Sequence, residues 1–229
     1  MRQGGSLSSP RDERGGRALP RGRSSLPASD VAADQRKRLL GAAVATVAEK
    51  GVHGVTVADI VRRARVSRAT FYAHFSDKDA CVLAAGAHGW AQLSDAVTAG
   101  SRAVPEDADP ELHWRAACRA FLRFLADEPA FARLFYVDLP AVGGEGVARH
   151  DAATHQFARF NQAWHERARR RHPDWPRVPF DAYVALVGAT TELVSTRVHH
   201  DRIGELPDLE DTLTALHLAV LAGRPWPAG

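Results

Sequence analysis

Three helical patterns follow one another between about residues 34 and 75 with very little chain between them, and this spacing constrains the fold more than any other feature. Apolar residues recur at helical intervals up to a stop at Gly51. Thr56 and Asp59 have the spacing of a capping box that opens a second helix. Ser67 follows that helix after a turn of three residues and can cap a third. Two short helices joined by so tight a turn predict a helix-turn-helix.

Helical patterning continues over the rest of the chain. Ser76 and Asp79 have the spacing of another capping box, which is expected to open a fourth helix. Two long helices are predicted near the end of the chain, over residues 181–201 and 208–222. No stretch alternates polar and apolar residues convincingly. The sequence therefore predicts an all-α protein with an N-terminal three-helix helix-turn-helix domain and a C-terminal helical bundle.

Charge divides the chain into a basic front and an acidic rear. Residues 1–29 carry six arginines and two acidic residues, and residues 36–75 carry eight basic and two acidic residues. Residues 76–229 carry sixteen basic and twenty-one acidic residues. Clustered Arg and Lys favour contact with phosphates, so the front is expected to face nucleic acid. Charge alone does not separate this interpretation from a solvated charge run.

Several other kinds of protein do not fit the sequence. No apolar run approaches the ~18 residues of a membrane span, and the charged first 29 residues lack the apolar core of a signal peptide. Cys81 and Cys118 are far apart, so we expect a cytoplasmic protein without disulfides and without membrane contact. The histidines lack metal-site spacing, and no nucleotide loop or nucleophile motif occurs. We expect no enzyme, no catalytic residue, no metal and no cofactor.

The third helix has one face that suits the major groove of DNA. Helical rotation of 100° per residue places Phe71 and Phe75 on the inner side. Small and polar residues then point outwards, so the backbone can approach the bases closely. Arg68, on the flank, can bind guanine O6 and N7. The outward residues are Ala69, Thr70, Tyr72 and Ala73.

The stretch from Thr56 to Asp79 contains a capped second helix, a tight turn and an aromatic third helix, in that order. This arrangement resembles the TetR family of bacterial regulators. The resemblance covers about residues 34–83. Family members usually have glycine where this chain has Arg65 and Ala69; Arg65 leaves the turn less permissive but adds a cation that can bind phosphate. The resemblance implies a homodimer on a palindromic double-stranded DNA operator. The expected DNA-binding residues are Thr56, Val57, Arg65, Ser67, Arg68, Ala69, Thr70, Tyr72, Ala73, His74 and Lys78.

The resemblance also implies a repressor that a small molecule releases from its operator. Aromatic residues are dense between positions 114 and 183, so an apolar or aromatic effector is expected there. The expected pocket residues are Trp114, Phe121, Phe124, Phe135, Phe160, Trp164, Tyr183 and Glu192. Apolar positions of the last two predicted helices are expected to form a four-helix dimer interface. These positions are Leu186, Ala189, Leu193, Leu209, Leu213, Leu216 and Val220.

Three regions are therefore expected along the chain. Residues 1–30 are rich in Gly, Ser, Pro and Arg and are predicted to form a disordered, Arg-rich tail. Residues 31–80 are expected to form the DNA-binding domain, and residues 81–229 the ligand-binding and dimerisation domain.

Two other functions stay open on the sequence alone. One is a DNA-binding regulator without a small-molecule effector. The other is a helical interaction module that does not bind DNA, in which Tyr72 and His74 simply complete a core. Strongly salt-dependent binding to a palindromic duplex would exclude the second, and a ligand that releases the duplex would exclude the first.

Overall fold

The computed structural model describes residues 5–7 and 27–226, and within them the predicted all-α fold is confirmed. The α-helices are α1 (Ala28–Gly54), α2 (Val57–Ala64), α3 (Arg68–His74), α4 (Lys78–Arg102), α5 (Pro110–Asp127), α6 (Pro129–Arg133), α7 (Gly144–Arg171), α8 (Phe180–His199) and α9 (Glu210–Leu221). A π-helical turn (Leu134–Asp138) and 3₁₀ turns (Leu139–Val142 and Ile203–Leu209) complete the regular structure. None of the helices in the described ranges is long and apolar enough to cross a membrane.

The chain forms two compact units whose limits differ from the predicted boundary at residue 80. The first unit takes the residues up to Gly89 together with Glu128–Val142. The second takes Trp90–Asp127 and the residues from Gly143 onward. The chain therefore passes from one unit to the other three times. It follows that α4 is not the only segment that links the two units covalently.

In the first unit, α1 supplies one continuous face of the core. Leu39, Ala43 and Val47 are fully buried, as their spacing of four residues predicts. The helix packs against α2, α6 and the π-helical turn. It begins earlier than the apolar pattern near Asp34 indicated, and its regular geometry breaks at Gly51, as predicted, where φ is +70°.

The segment Glu128–Val142 joins the first unit because α4 presents bare backbone to it. A Cβ atom on Gly89 would lie 2.3 Å from ring carbons of Phe131. A Cβ atom on Gly86 would lie 3.0 Å from a methyl carbon of Leu139. Glycine at these two positions lets both side chains pack against the helix backbone, where they are fully buried.

Part of the predicted N-terminal tail also belongs to the first unit. The Leu7 N–H donates to Glu128 Oε2 at 2.9 Å, and the Leu7 side chain is buried. Ser6 donates its N–H to Glu128 Oε1 at 2.5 Å. The prediction of a disordered tail is therefore wrong for residues 5–7, and also for residues 28–30, which begin α1. The remainder of that prediction, on residues 1–4 and 8–26, lies outside the described residues.

The second unit is built around aromatic side chains. Trp114, Trp164 and Tyr183 are buried in one cluster, and the ring centroids of the two tryptophans lie 5.0 Å apart. In this unit α5 packs against α9 and against the 3₁₀ turn Ile203–Leu209, and α7 packs against α8. Many of the aromatic residues between positions 114 and 183 therefore belong to the hydrophobic core of this unit.

Candidate nucleic-acid interface

The second helix begins at a complete capping box, as its sequence predicts. The Asp59 N–H donates to Thr56 Oγ1 at 3.2 Å, and the Thr56 N–H donates back to Asp59 Oδ2 at 3.2 Å. The same carboxylate accepts hydrogen bonds from Lys50 Nζ and Arg62 Nη2, each at 2.7 Å. Because Lys50 lies on α1, Asp59 ties the end of the first helix to the start of the second.

The turn between α2 and α3 contains a left-handed residue that is not glycine. Arg65 has φ 54° and ψ 46°, and its N–H donates to the Arg62 carbonyl at 3.4 Å. A residue with a Cβ atom loses roughly 1–2 kcal/mol in this conformation. The Arg65 side chain is exposed, and no acidic residue in the described part of the chain pairs with it. The turn therefore carries a strained but freely available cation.

The third helix is held by a polar cap at its start and by aromatic rings on its inner face. Ser67 Oγ accepts the Thr70 N–H at 2.9 Å. Phe71 is 0% exposed and Phe75 is buried, which confirms the predicted inner face. Their ring centroids lie 5.8 Å apart, and the Tyr72 ring meets Phe71 edge-on at 5.4 Å. This packing fixes the direction of the opposite face.

That opposite face lies in solvent. Arg68, Ala69 and Ala73 are exposed, and Tyr72 is 51% exposed although it is a large aromatic residue. Thr70 and His74 are half-buried at the edges of this face. Thr56 and Ser67, which cap α2 and α3, are exposed. Val57, the first residue of α2, is half-buried. The surface combines small residues with one arginine and one tyrosine, and a helix with such a face fits the major groove.

The basic side chains around this face differ in whether they are already paired. Arg62 and Arg63 each bind a carboxylate of the first unit, at 2.7 and 2.8 Å. Arg68 has no acidic partner among the residues that the structure describes. An unpaired guanidinium can bind a base edge or a phosphate without first breaking an ion pair. Arg65 and Arg68 are therefore the two cations most available to DNA in this region.

The start of α4 departs from the prediction in two respects. Asp77 rather than Ser76 caps it, since Asp77 Oδ1 accepts a backbone N–H of the first turn at 2.8 Å and this bond lowers the pKa of Asp77. The predicted box of Ser76 and Asp79 is wrong. Lys78 was expected to bind DNA, but its ammonium donates to the Val52 carbonyl at 3.2 Å and to a neighbouring carboxylate. Any phosphate at Lys78 would compete with these bonds.

Two contacts support this region without any signal in the sequence. The Arg36 guanidinium lies 5.3 Å from the centroid of the Phe75 ring, a cation–π contact from α1 to the residue that follows α3. Asp138, on the π-helical turn, accepts the Val52 N–H at 3.1 Å. Both contacts join residues that are far apart in the chain, and local sequence patterns do not predict such contacts.

We expect Asp59→Asn to lower thermal stability near neutral pH, by an amount that shrinks in acid. Hydrogen bonds from Lys50 and Thr56 hold the pKa of Asp59 well below its ordinary value of 3.8. A carboxylate with a depressed pKa stabilises the fold fully above its unfolded pKa, and this contribution is lost as the pH falls through the folded value. Melting curves of both proteins from about pH 7 to about pH 2 measure the difference. A gap that stays constant over this range would contradict the expectation.

Arg65→Gly is expected to change stability and DNA affinity in opposite directions. Glycine removes the left-handed strain, which should raise the free energy of unfolding by about 1 kcal/mol. Loss of one phosphate contact should weaken binding to all duplexes alike and reduce the slope of log affinity against log salt by about one. Thermal melts and fluorescence anisotropy at several salt concentrations measure both. An unchanged salt slope would show that Arg65 binds no phosphate.

The residues predicted to line a ligand pocket do not all lie together. Phe135 belongs to the first unit, and the others belong to the second. Glu192 is exposed, and its carboxylate accepts the Thr196 hydroxyl at 3.3 Å, so its prediction as a polar anchor inside a pocket is wrong. The six remaining residues are buried or half-buried: Trp114, Phe121, Phe124, Phe160, Trp164 and Tyr183.

Two buried histidines accompany these aromatic rings in the second unit. His165 Nδ1 lies 2.8 Å from the Tyr183 hydroxyl, and burial lowers the pKa of His165. Burial lowers the pKa of His217 to about 4. His217 Nδ1 donates to the Leu213 carbonyl at 2.8 Å, since a carbonyl can only accept. Both rings are therefore neutral near pH 7.

The predicted dimer residues divide according to burial. Leu186, Leu209 and Leu213 are 3%, 2% and 1% exposed in the single chain. They pack inside their own unit, so their prediction as interface residues is wrong. The other four keep surface that a second copy could cover: Ala189, Leu193, Leu216 and Val220.

Comparison with known proteins relates the described geometry to one family. Residues 39–85 match the model of the tetR family of bacterial regulatory proteins. This range contains most of α1, all of α2 and α3, and the start of α4. No curated protein matches the chain.

Solved structures share the fold over nearly their whole length. The fatty acid degradation regulator FadR from Bacillus halodurans has a TM-score of 0.69 at 18% identity, covering 82% of this chain and 98% of that one. The transcriptional regulator FadR from Bacillus subtilis, solved in complex with stearoyl-CoA, has a TM-score of 0.67 at 18% identity, covering 80% and 96%. A TetR-like transcriptional regulator from Rhodococcus sp. RHA1 has a TM-score of 0.60 at 22% identity, covering 83% and 97%.

Proposed function

We propose that this chain is a sequence-specific transcriptional regulator, which represses its target until a small apolar ligand releases it from DNA. The chain has the TetR-like fold, and its N-terminal part matches the tetR family model. The observation that carries the proposal is the exposed face of α3. A large aromatic residue and an unpaired arginine lie there in solvent, on a helix whose other face is fully buried. A helix face with small residues, one free guanidinium and one tyrosine suits contact with the base edges and phosphates of a major groove.

Base recognition is assigned to Arg68 and the two alanines. A guanidinium binds guanine O6 and N7 with two hydrogen bonds, and each such pair contributes roughly 1–3 kcal/mol of discrimination. Ala69 and Ala73 allow the helix backbone close to the base edges and can contact a thymine methyl group. Arg65 and Tyr72 are assigned to the phosphates on either side, which position the helix without reading sequence.

We propose that two copies bind one operator in the cytoplasm. A helix of seven residues reads only a few base pairs, so a single copy would have little specificity. The partly exposed residues Ala189, Leu193, Leu216 and Val220 are the proposed contact between copies. A two-fold axis requires a palindromic site whose half-sites lie about one helical turn of DNA apart, or somewhat more.

The proposed effector site lies among the aromatic residues of the second unit. Apolar rings and the neutral imidazoles of His165 and His217 suit the long apolar part of a ligand. The similar regulator from Bacillus subtilis binds stearoyl-CoA, so an acyl chain is the first class to examine. Release by tenfold requires only about 1.4 kcal/mol of coupling between ligand and DNA.

The experiment is a titration of the protein–duplex complex with stearoyl-CoA, in which fluorescence anisotropy measures how much duplex stays bound. Binding to a selected duplex should weaken strongly as salt increases, which a protein that does not contact phosphates would not show. Stearoyl-CoA should lower duplex affinity at least tenfold in wild type. The stearoyl-CoA concentration that releases half of the duplex should differ in a Trp164→Phe variant. Tight ligand binding with unchanged duplex affinity would contradict the switching proposal while leaving DNA binding intact.

A regulator without an effector is the second candidate, and one observation favours it. Trp114, Trp164 and Tyr183 are between 3% and 6% exposed and pack against one another, as in a filled core. Failure of stearoyl-CoA and of shorter acyl and aromatic compounds to bind, alongside specific duplex binding, would support this candidate.

A further inference from the structure

Val52 has both of its backbone polar groups bound by side chains that come from other parts of the first unit. Its N–H donates to Asp138 Oδ1 at 3.1 Å. Its carbonyl accepts the Lys78 ammonium at 3.2 Å. The residue is itself only 3% exposed, so water does not replace these partners easily.

This peptide lies at the point where α1 changes direction towards the DNA-binding helices. Gly51 leaves helical geometry with φ +70°, and only four residues separate it from the capping box at Thr56. Rotation of the backbone at Gly51 and Val52 would therefore turn α2, and α3 with it, relative to α1. Two side-chain bonds to one peptide restrict that rotation.

Asp138 occupies a position that is costly for a carboxylate. It is 6% exposed, and its Oδ2 atom has no hydrogen-bond partner among the described residues. Burial raises the pKa of Asp138, with the Val52 N–H and the nearby charges of Arg133 and His53 acting against that effect. It ends a π-helical turn, a rare geometry that occurs frequently at functional sites. Burying a carboxylate oxygen that has no hydrogen bond costs free energy, so other interactions of the first unit must hold Asp138 in this place.

The segment that holds Asp138 is itself fixed to the first unit at its other end. Glu128, ten residues earlier, accepts the N–H groups of Ser6 and Leu7. Between these two carboxylates, Phe131 packs against α4 at Gly89. Of the two buried carboxylates, Asp138 is the one whose bond reaches the junction between α1 and α2.

We propose that Asp138 is a positioning residue for DNA recognition, which sets the orientation of α3 through its hydrogen bond to the Val52 N–H. The inference rests on the proposed function, because it concerns how well the recognition helix is aimed at the bases. Asp138 itself does not contact DNA. It acts through the α1–α2 junction.

The test compares Asp138→Ala, Asp138→Asn and the matched control Glu128→Ala, all by anisotropy with a selected specific duplex and a random duplex. Asp138→Ala should bind the specific duplex at least tenfold more weakly, with random-duplex affinity nearly unchanged. Asp138→Asn keeps an oxygen acceptor and should stay within threefold of wild type. Glu128→Ala removes a similar buried carboxylate and should lose stability in a melt without losing specificity.

Three outcomes would overturn the inference. Asp138→Ala could bind the specific duplex like wild type, Asp138→Asn could lose as much affinity as Asp138→Ala, or Glu128→Ala could lose specificity equally. If wild type bound no duplex, the proposed function would fail first. Should Asp138→Ala not fold, amide exchange in wild type decides: the Val52 N–H should exchange no faster than the α3 amides, and much faster exchange would overturn the inference.

Discussion

Truncation of Phe71 to Ala is expected to abolish specific DNA binding by unfolding the DNA-binding helices rather than by removing a DNA contact. Phe71 is fully buried and packs against the rings of Phe75 and Tyr72. Loss of a buried phenylalanine ring costs about 3–5 kcal/mol. That is a large part of the 5–15 kcal/mol that stabilises a typical domain. Circular dichroism melts should show the loss directly.

Tyr72→Ala is the matched control, one residue along the same helix. Tyr72 is 51% exposed, so its truncation should change the free energy of unfolding by only about 0.5 kcal/mol. Its affinity for every duplex should nevertheless fall, because its expected contact is a phosphate. If Phe71→Ala melted like wild type, or if Tyr72→Ala bound like wild type, the assignment of inner and outer faces would fail.

Arg68→Ala is expected to relax sequence preference while leaving the fold intact. The side chain is exposed, and no described acidic residue holds it, so little stability depends on it. Loss of a bidentate guanine contact should reduce discrimination between matched and mismatched duplexes by about 1–3 kcal/mol, or roughly 5- to 150-fold. Anisotropy with the selected duplex and with single-base variants of it measures this ratio.

Arg123→Ala provides the control for charge. Arg123 is exposed on α5 in the second unit, so its removal changes net charge equally without touching the proposed interface. Its affinity should fall slightly and without regard to sequence. Equal discrimination by wild type and Arg68→Ala would remove Arg68 from base recognition, whatever happened to overall affinity.

The elements closest to the proposed interface could be predicted because their signals are local. The capping box of Thr56 and Asp59 and the cap at Ser67 form hydrogen bonds between residues three positions apart. The burial of Phe71 and Phe75 follows from helical rotation alone. The choice of Asp77 over Ser76 as a cap could not be predicted, since both residue types accept the same bond.

Features that depend on contacts between distant residues could not be predicted. Leu186, Leu209 and Leu213 are buried within one chain, but the same apolar spacing also occurs in helices that pack against a second copy. The sequence pattern does not distinguish these two cases. The π-helical turn and the bond from Asp138 to Val52 have no sequence signal, because they join positions 86 residues apart. The bonds that occupy Lys78 likewise depend on where Val52 lies.

We claim that α3 reads DNA sequence, and selection of binding duplexes from a randomised pool with wild-type protein and with Arg68→Ala tests this most directly. Wild type should enrich an inverted repeat whose half-sites lie about one helical turn apart or somewhat more, with affinity that falls steeply as salt increases. Arg68→Ala should enrich a repeat that has lost preference at one position of each half-site. Enrichment of no common sequence by the wild-type protein would contradict the claim.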